Sequence, residues 1–268
     1  MSIALSMVSV PFDYESAGFE SIDDLIQPVY KAVDKIEPTE AEMQSGVLIT
    51  DYGKGLNHPQ TIFLGQEISK KVGSRYIPFS LQTSYNRFHS DAAYKEHLTY
   101  RWNHNSHLLL EETTTHKSGV IAIPEIELKE DQVLYAGELK EVPVKDGNKV
   151  IDILERADIF KGSGHKIYNS GVHFDSKGLS SVGSGWYWDG GCFGAGSGGP
   201  SGRGGGGLAS FELLAVDSES THRSAEAEHE PKGQSLEPKK REITQEDLEE
   251  ENRQRLLRKL RVVDKSRR

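Results

Sequence analysis

Gly183-Ser-Gly-Trp-Tyr-Trp-Asp-Gly-Gly-Cys-Phe-Gly-Ala-Gly-Ser-Gly-Gly-Pro-Ser-Gly-Arg-Gly-Gly-Gly-Gly207 holds 13 of the 27 glycines in this 268-residue chain. Glycine loses more backbone freedom on ordering than any other residue, so the run predicts a mobile loop over 183–207. Strand-like runs flank it, Leu179 to Trp188 before it and Leu208-Ala-Ser-Phe-Glu-Leu-Leu-Ala-Val216 after it. The second is apolar enough for a core strand, which places the glycines inside a domain. After Val216 no apolar segment remains from which a core can be built. The chain therefore divides into a body over 1–216, a disordered linker over 217–242 rich in Ser, Glu, Lys and Pro, and a charged helical tail over 243–268.

Working outward towards the N-terminus, Ser2 to Val10 reads as a first strand. It lacks a basic leader, its apolar positions are interrupted by serine, and Asp13 and Glu15 follow closely. Ser21 and Asp24 stand at capping-box spacing, and Ile22, Leu25, Ile26, Val29, Val33 and Ile36 recur at helical intervals, with Pro28 inside the pattern. Gly46 to Thr50 reads as a short strand. A second helix is expected from Pro59 to Lys71, with Asn57 near its start, Lys70 and Lys71 at its negative end, and Gly73 to stop it. Tyr76 to Leu81 is a strand candidate in which Pro78 favours an edge or a bulge.

From His97 onward the pattern turns to strands. His97 to Trp102 and His107 to Thr113 flank Asn103-His-Asn-Ser106, a four-residue hairpin loop by composition. Val120 to Leu128 and Gln132 to Val144 continue the series, with Asp146-Gly147 as a turn, while Val150 to Phe160 favours helix. Lys166 to Tyr168 and Val172 to Phe174 flank Asn169-Ser-Gly171, a further hairpin candidate. The expected fold is α+β, mainly antiparallel sheet, with two or three helices in the N-terminal half.

A single cysteine, Cys192, allows no intrachain disulfide, and this suits an intracellular, cytoplasmic setting. No apolar run approaches the ~20 residues of a membrane helix. The net charge is −9, yet 253–268 holds eight Lys/Arg against Asp264 alone. An acidic body argues against nucleic-acid binding over its whole surface, and Arg253, Arg255, Arg258, Lys259 and Arg261 confine that option, with a nuclear setting, to the tail.

Three groups of residues bear on chemistry. Five histidines between His89 and His116 do not keep a metal-ligand spacing, so neither metal nor cofactor is expected. His97-Leu-Thr-Tyr100 is similar to one half of the signature of the two-histidine phosphoesterases. That resemblance implies His97 and Thr99 on one strand and a second histidine as acid or base. The nearest mate, His173-Phe-Asp175, has Asp where the family has a hydroxyl. Gly194-Ala-Gly-Ser-Gly-Gly199 matches Gly-x-Gly-x-x-Gly formally, but Pro200 and further glycines stand where a dinucleotide site opens a helix. Trp186 and Trp188 share one face of a strand, either as core or as an anchor for a protein partner, a sugar or a base.

The layout thus predicts a non-catalytic binding or assembly protein that engages a protein partner or self-associates. A phosphoesterase using His97, Thr99 and His173 is one alternative. A membrane-active protein released by loss of its C-terminal tail is the other.

Overall fold

The computed structural model describes residues 5–53, 55–98, 102–187, 191–202 and 209–214. The linker over 217–242 and the tail over 243–268, with Arg253, Arg255, Arg258, Lys259 and Arg261, lie outside them, as do Thr99 and Trp188.

The chain is α+β, and its main sheet is mostly antiparallel. In chain order the strands are β1 Leu5–Phe12, β2 Val47–Thr50, β3 Tyr76–Pro78, β4 Trp102–Leu110, β5 Gly119–Ile121, β6 Glu125–Lys129, β7 Gln132–Glu141, β8 Ile167–Asn169, β9 Leu179–Tyr187, β10 Cys192–Gly198 and β11 Ala209–Leu213. The helices are α1 Ile22–Val33, α2 Glu40–Ser45, α3 His58–Val72, α4 Leu81–Ser90, α5 Ala92–His97 and α6 Val150–Arg156. The eight-stranded sheet runs β1-β7-β5-β4-β9-β10-β8, with β6 beside β5 along the same flank of β7. Only the β8–β10 pair in it is parallel. A second sheet of three strands has the order β2-β11-β3.

Residues of alternating parity in each strand face opposite ways, and both faces of the large sheet are packed. Leu108, Leu110, Ile121 and Tyr135 join Leu25 and Val29 of α1, Ile62 and Ile68 of α3, and Phe211 of β11 in one core. Leu109, Val120, Val182 and Phe193 join Tyr85 and Phe88 of α4, Tyr94 of α5, and Ile153 and Leu154 of α6 in the other.

Local chemistry sets the helix ends. Ser21 caps α1 by accepting from the Asp24 N–H, and the helix continues through Pro28. Asn57 and Gln60 form a capping box at the start of α3, and Gly73 closes it in the left-handed region at φ 74°. Such a turn carries no Cβ penalty for glycine. β3 is an edge strand, as Pro78 requires.

Several expectations are corrected. Within the stretch expected as a loop over 183–207, Gly183 to Tyr187 belongs to the expected strand, β9, whereas Cys192 to Gly198 forms a further strand, β10, paired in register with Gly196 opposite Gly183. Glycine is tolerated there because neighbouring side chains lie over the strands, as described below. Asn103 to Ser106 is not a hairpin loop but the interior of β4, broken by a register shift between His104 and Leu108. Ile167 to Asn169 pairs in parallel with β10, so Asn169-Ser-Gly171 closes no hairpin. Among the described residues, three further helices, α2, α4 and α5, accompany the expected ones, α1, α3 and α6. His97 closes α5 and does not lie on a strand.

Candidate functional site

The polar stretch of β4 is buried where it supplies a hydrogen bond that the start of α4 needs and another to the first side chain of α3. The first N–H groups of a helix have no partner within it. At α4 the Leu81 N–H donates to His107 Nε2 at 3.0 Å, and His107 Nδ1 donates to the Ala122 carbonyl at 3.1 Å. Asn105 Nδ2 donates to the Phe79 carbonyl at 3.0 Å and to Ser84 Oγ at 2.8 Å. On the opposite side His58, the first residue of α3, donates from Nε2 to the Asn105 carbonyl at 3.0 Å. Its Nδ1 then accepts from the Tyr135 hydroxyl at 2.8 Å. Both imidazoles are thereby held neutral in one tautomer each.

Burial accounts for their titration. It pushes His58 down to about 3, with the neighbouring His104 acting the same way and the Asn105 carbonyl opposing. It also pushes His104 and His107 down to about 4, against the Leu56 and Ala122 carbonyls respectively. The Tyr135 hydroxyl is raised by the same desolvation. His58 and His104 meet edge to face, with ring centroids 5.8 Å apart. These groups serve as structural hydrogen-bond partners. Among the described residues no group of three or more His, Cys, Asp or Glu is placed to hold a metal ion.

His104 is also the link to the surface. It borders a cleft of about 420 Å³ on the α3 side of β4, β9 and β10, beside the start of that helix, together with Trp102, Tyr168, His173 and glycines 183, 196 and 198. The turn 199–202 forms one wall and is tied to α3, whose His58 N–H donates to the Pro200 carbonyl at 3.2 Å. Trp102 is 41% exposed. The benzo edge of its indole runs across the cross-strand pair of glycines: a Cβ at Gly196 would stand 2.9 Å from Trp102 Cη2, and one at Gly183 3.3 Å from Cε3. The two glycines are what let the indole lie against the sheet. Gly198 has open space where a Cβ would project.

The residues singled out from sequence are dispersed. Trp186 packs on the second core against Phe88 at 6.3 Å, with Lys95 Nζ 5.4 Å from its ring centroid. His97 is exposed in the last turn of α5, and His173 is exposed in the loop after Gly171, its Nδ1 3.7 Å from Asp146 Oδ1. Neither histidine is on a strand, so the paired-strand arrangement of the phosphoesterases is not assembled by these two. Gly194 to Gly198 is strand followed by a turn, with no helix start to receive a phosphate.

Sequence reasoning missed Trp102 as a site residue, and nothing local signals it. Its exposure depends on two glycines far along the chain. Comparison with family models, with curated proteins and with solved structures found no match.

Proposed function

We propose that this chain is a non-catalytic, intracellular binding or assembly protein whose body recognises its partner through the cleft on β4, β9 and β10. The observation that supports it is the cleft itself: an exposed aromatic ring seated on a glycine floor, with His104 at its base against the structurally bonded His58. Concave sites of this size with an aromatic wall and a few polar groups are the usual form of binding pockets. The basic run over 253–268 would add electrostatic docking to an anionic partner. Affinity capture with the full chain, and with a chain ending at Val216, at low and high salt tests this division. A salt-resistant partner kept by the shorter chain supports the sheet. If every captured species needs the tail and leaves in salt, the proposed role of the sheet fails.

A second reading is favoured by one different observation. From Leu179 to Gly202 the only charged residue is Asp189, although 27% of the chain is charged. β9 has 9 residues, close to the ~9–11 of a membrane-spanning strand. Val182, Trp186, Phe193 and Ala195 form an apolar face, with glycines on the other side. An amphipathic hairpin of this kind suits insertion into a bilayer after the tail is lost. Among the described residues no helix is long and apolar enough to cross a membrane. Dye release from liposomes by the chain ending at Val216, with the full chain silent, is the expected result. Silence from both removes this reading.

A further inference from the structure

The polar groups around Trp102 share a polarity. Ser181 Oγ donates its proton to the Gly198 carbonyl at 3.1 Å, and Ser170 Oγ donates to the Gly171 carbonyl at 3.2 Å. Each hydroxyl is left with lone pairs to offer. His104 Nε2 is buried without a hydrogen-bond partner at the base of the same cleft. Among the described lining residues none carries a fixed charge. A phosphate or carboxylate brings only acceptors and a charge, and is mismatched to such a wall. A flat base would stack on Trp102 but has few donors for the serines. A saccharide ring has an apolar face of C–H groups for the indole and several hydroxyls that donate.

We propose that the cleft binds a neutral saccharide unit, its apolar face against Trp102 and its hydroxyls donating to Ser170 and Ser181. This names the ligand class of the binding site proposed above and rests on that reading. The glycines have a specific part in it. Gly183 and Gly196 seat the aromatic platform, and the space beside Gly198 is where the ring enters. The volume of about 420 Å³ is that of a small-molecule site.

The test uses the full chain on three neutral polysaccharide resins, cellulose, chitin and β-1,3-glucan, with the matching free oligosaccharides in titration calorimetry. The expected result is retention on at least one resin and release by its own oligosaccharide. Affinity falls about tenfold or more in Trp102→Ala and largely persists in Trp102→Phe. Gly198→Leu, whose Cβ meets nothing within 4 Å and whose side chain occupies the open space, abolishes binding while thermal unfolding is unchanged. If Trp102→Ala does not fold, Gly198→Leu alone decides. No retention on any of the three resins, or retention indifferent to Gly198→Leu, overturns the saccharide assignment. Repeating the affinity capture with Gly198→Leu separates the two proposals. Loss of a salt-resistant partner without polysaccharide binding leaves the cleft as the site and removes the saccharide. An unaffected partner removes the site as well.

Discussion

Acidification should unfold this protein through its interior histidines before its carboxylates titrate. His58, His104 and His107 have folded pKa values of about 3, 4 and 4, whereas each titrates near ~6.5 in an unfolded chain. Depressed imidazoles stabilise fully above ~6.5, and that stability is lost as the pH falls from there towards the folded values, because only the unfolded chain takes up the protons. At pH 5 each has lost about 2 kcal/mol, so the three together remove about 6 kcal/mol. That is comparable to the whole stability of an ordinary domain, ~5–15 kcal/mol. The lowered Asp13 and Asp91 act only below this window. His89, stacked on His165 at 4.1 Å but largely exposed, shifts the same way with a smaller effect. Urea unfolding from pH 8 to 4.5 measures the effect. The slope of stability against pH between about 5.5 and 5 should correspond to about three protons taken up on unfolding. His107→Gln, which can still meet the Leu81 N–H, should lower it by about one. A slope below one proton would refute the buried, neutral state assigned to these rings.

Tyr135→Phe keeps the ring packed on Phe12 but leaves His58 Nδ1 without its donor. It should cost about 1–3 kcal/mol in denaturant unfolding; an unchanged midpoint would mean the pair does not form. Gly119→Ala would place a Cβ 2.3 Å from the Lys140 carbonyl oxygen, against backbone that cannot yield. A loss of about 1–3 kcal/mol is expected from this overpacking, while Gly198→Ala, facing open space, should be nearly silent in the same assay. The Glu212 carboxylate accepts from the Ser80 N–H at 2.8 Å and from Thr83 Oγ1 at 2.6 Å, where α4 begins. Glu212→Gln should remove about 1 kcal/mol by weakening a charge-assisted helix cap, seen as faster amide exchange over the first turn of α4.

How much of this was readable depends on whether the determinant was local. The starts of α1 and α3 were legible because Ser21, Asn57, Pro59 and Gly73 act within one turn of their own positions. α2 had an equally local signal, Thr39 and Glu42 in a reciprocal capping box, and α4 had Ser80 followed by Leu81, Tyr85 and Phe88 at helical spacing. The latter was obscured by the strand-like run that precedes Ser80. β4 was illegible for a different reason. Asn103 to Ser106 has the composition of a turn, and its burial follows from partners on α3 and α4 that only the tertiary fold supplies. The glycine stretch misled through the same gap. Its entropy argues for a loop, and what offsets that entropy is Trp102 crossing it from another strand. The cleft is therefore a property of strand pairing that no window of sequence contains.

β11 is the last described strand in the chain, yet it sits between β2 and β3, which come from the first third. During synthesis those two strands leave the ribosome early and must wait, edges unsatisfied, until Ala209 to Leu213 has emerged. A nascent chain stalled anywhere before that point exposes two templates for wrong pairing. Completion of the second sheet is thus a threshold event that waits for Ala209 to Leu213, and chaperone dependence should peak just before it.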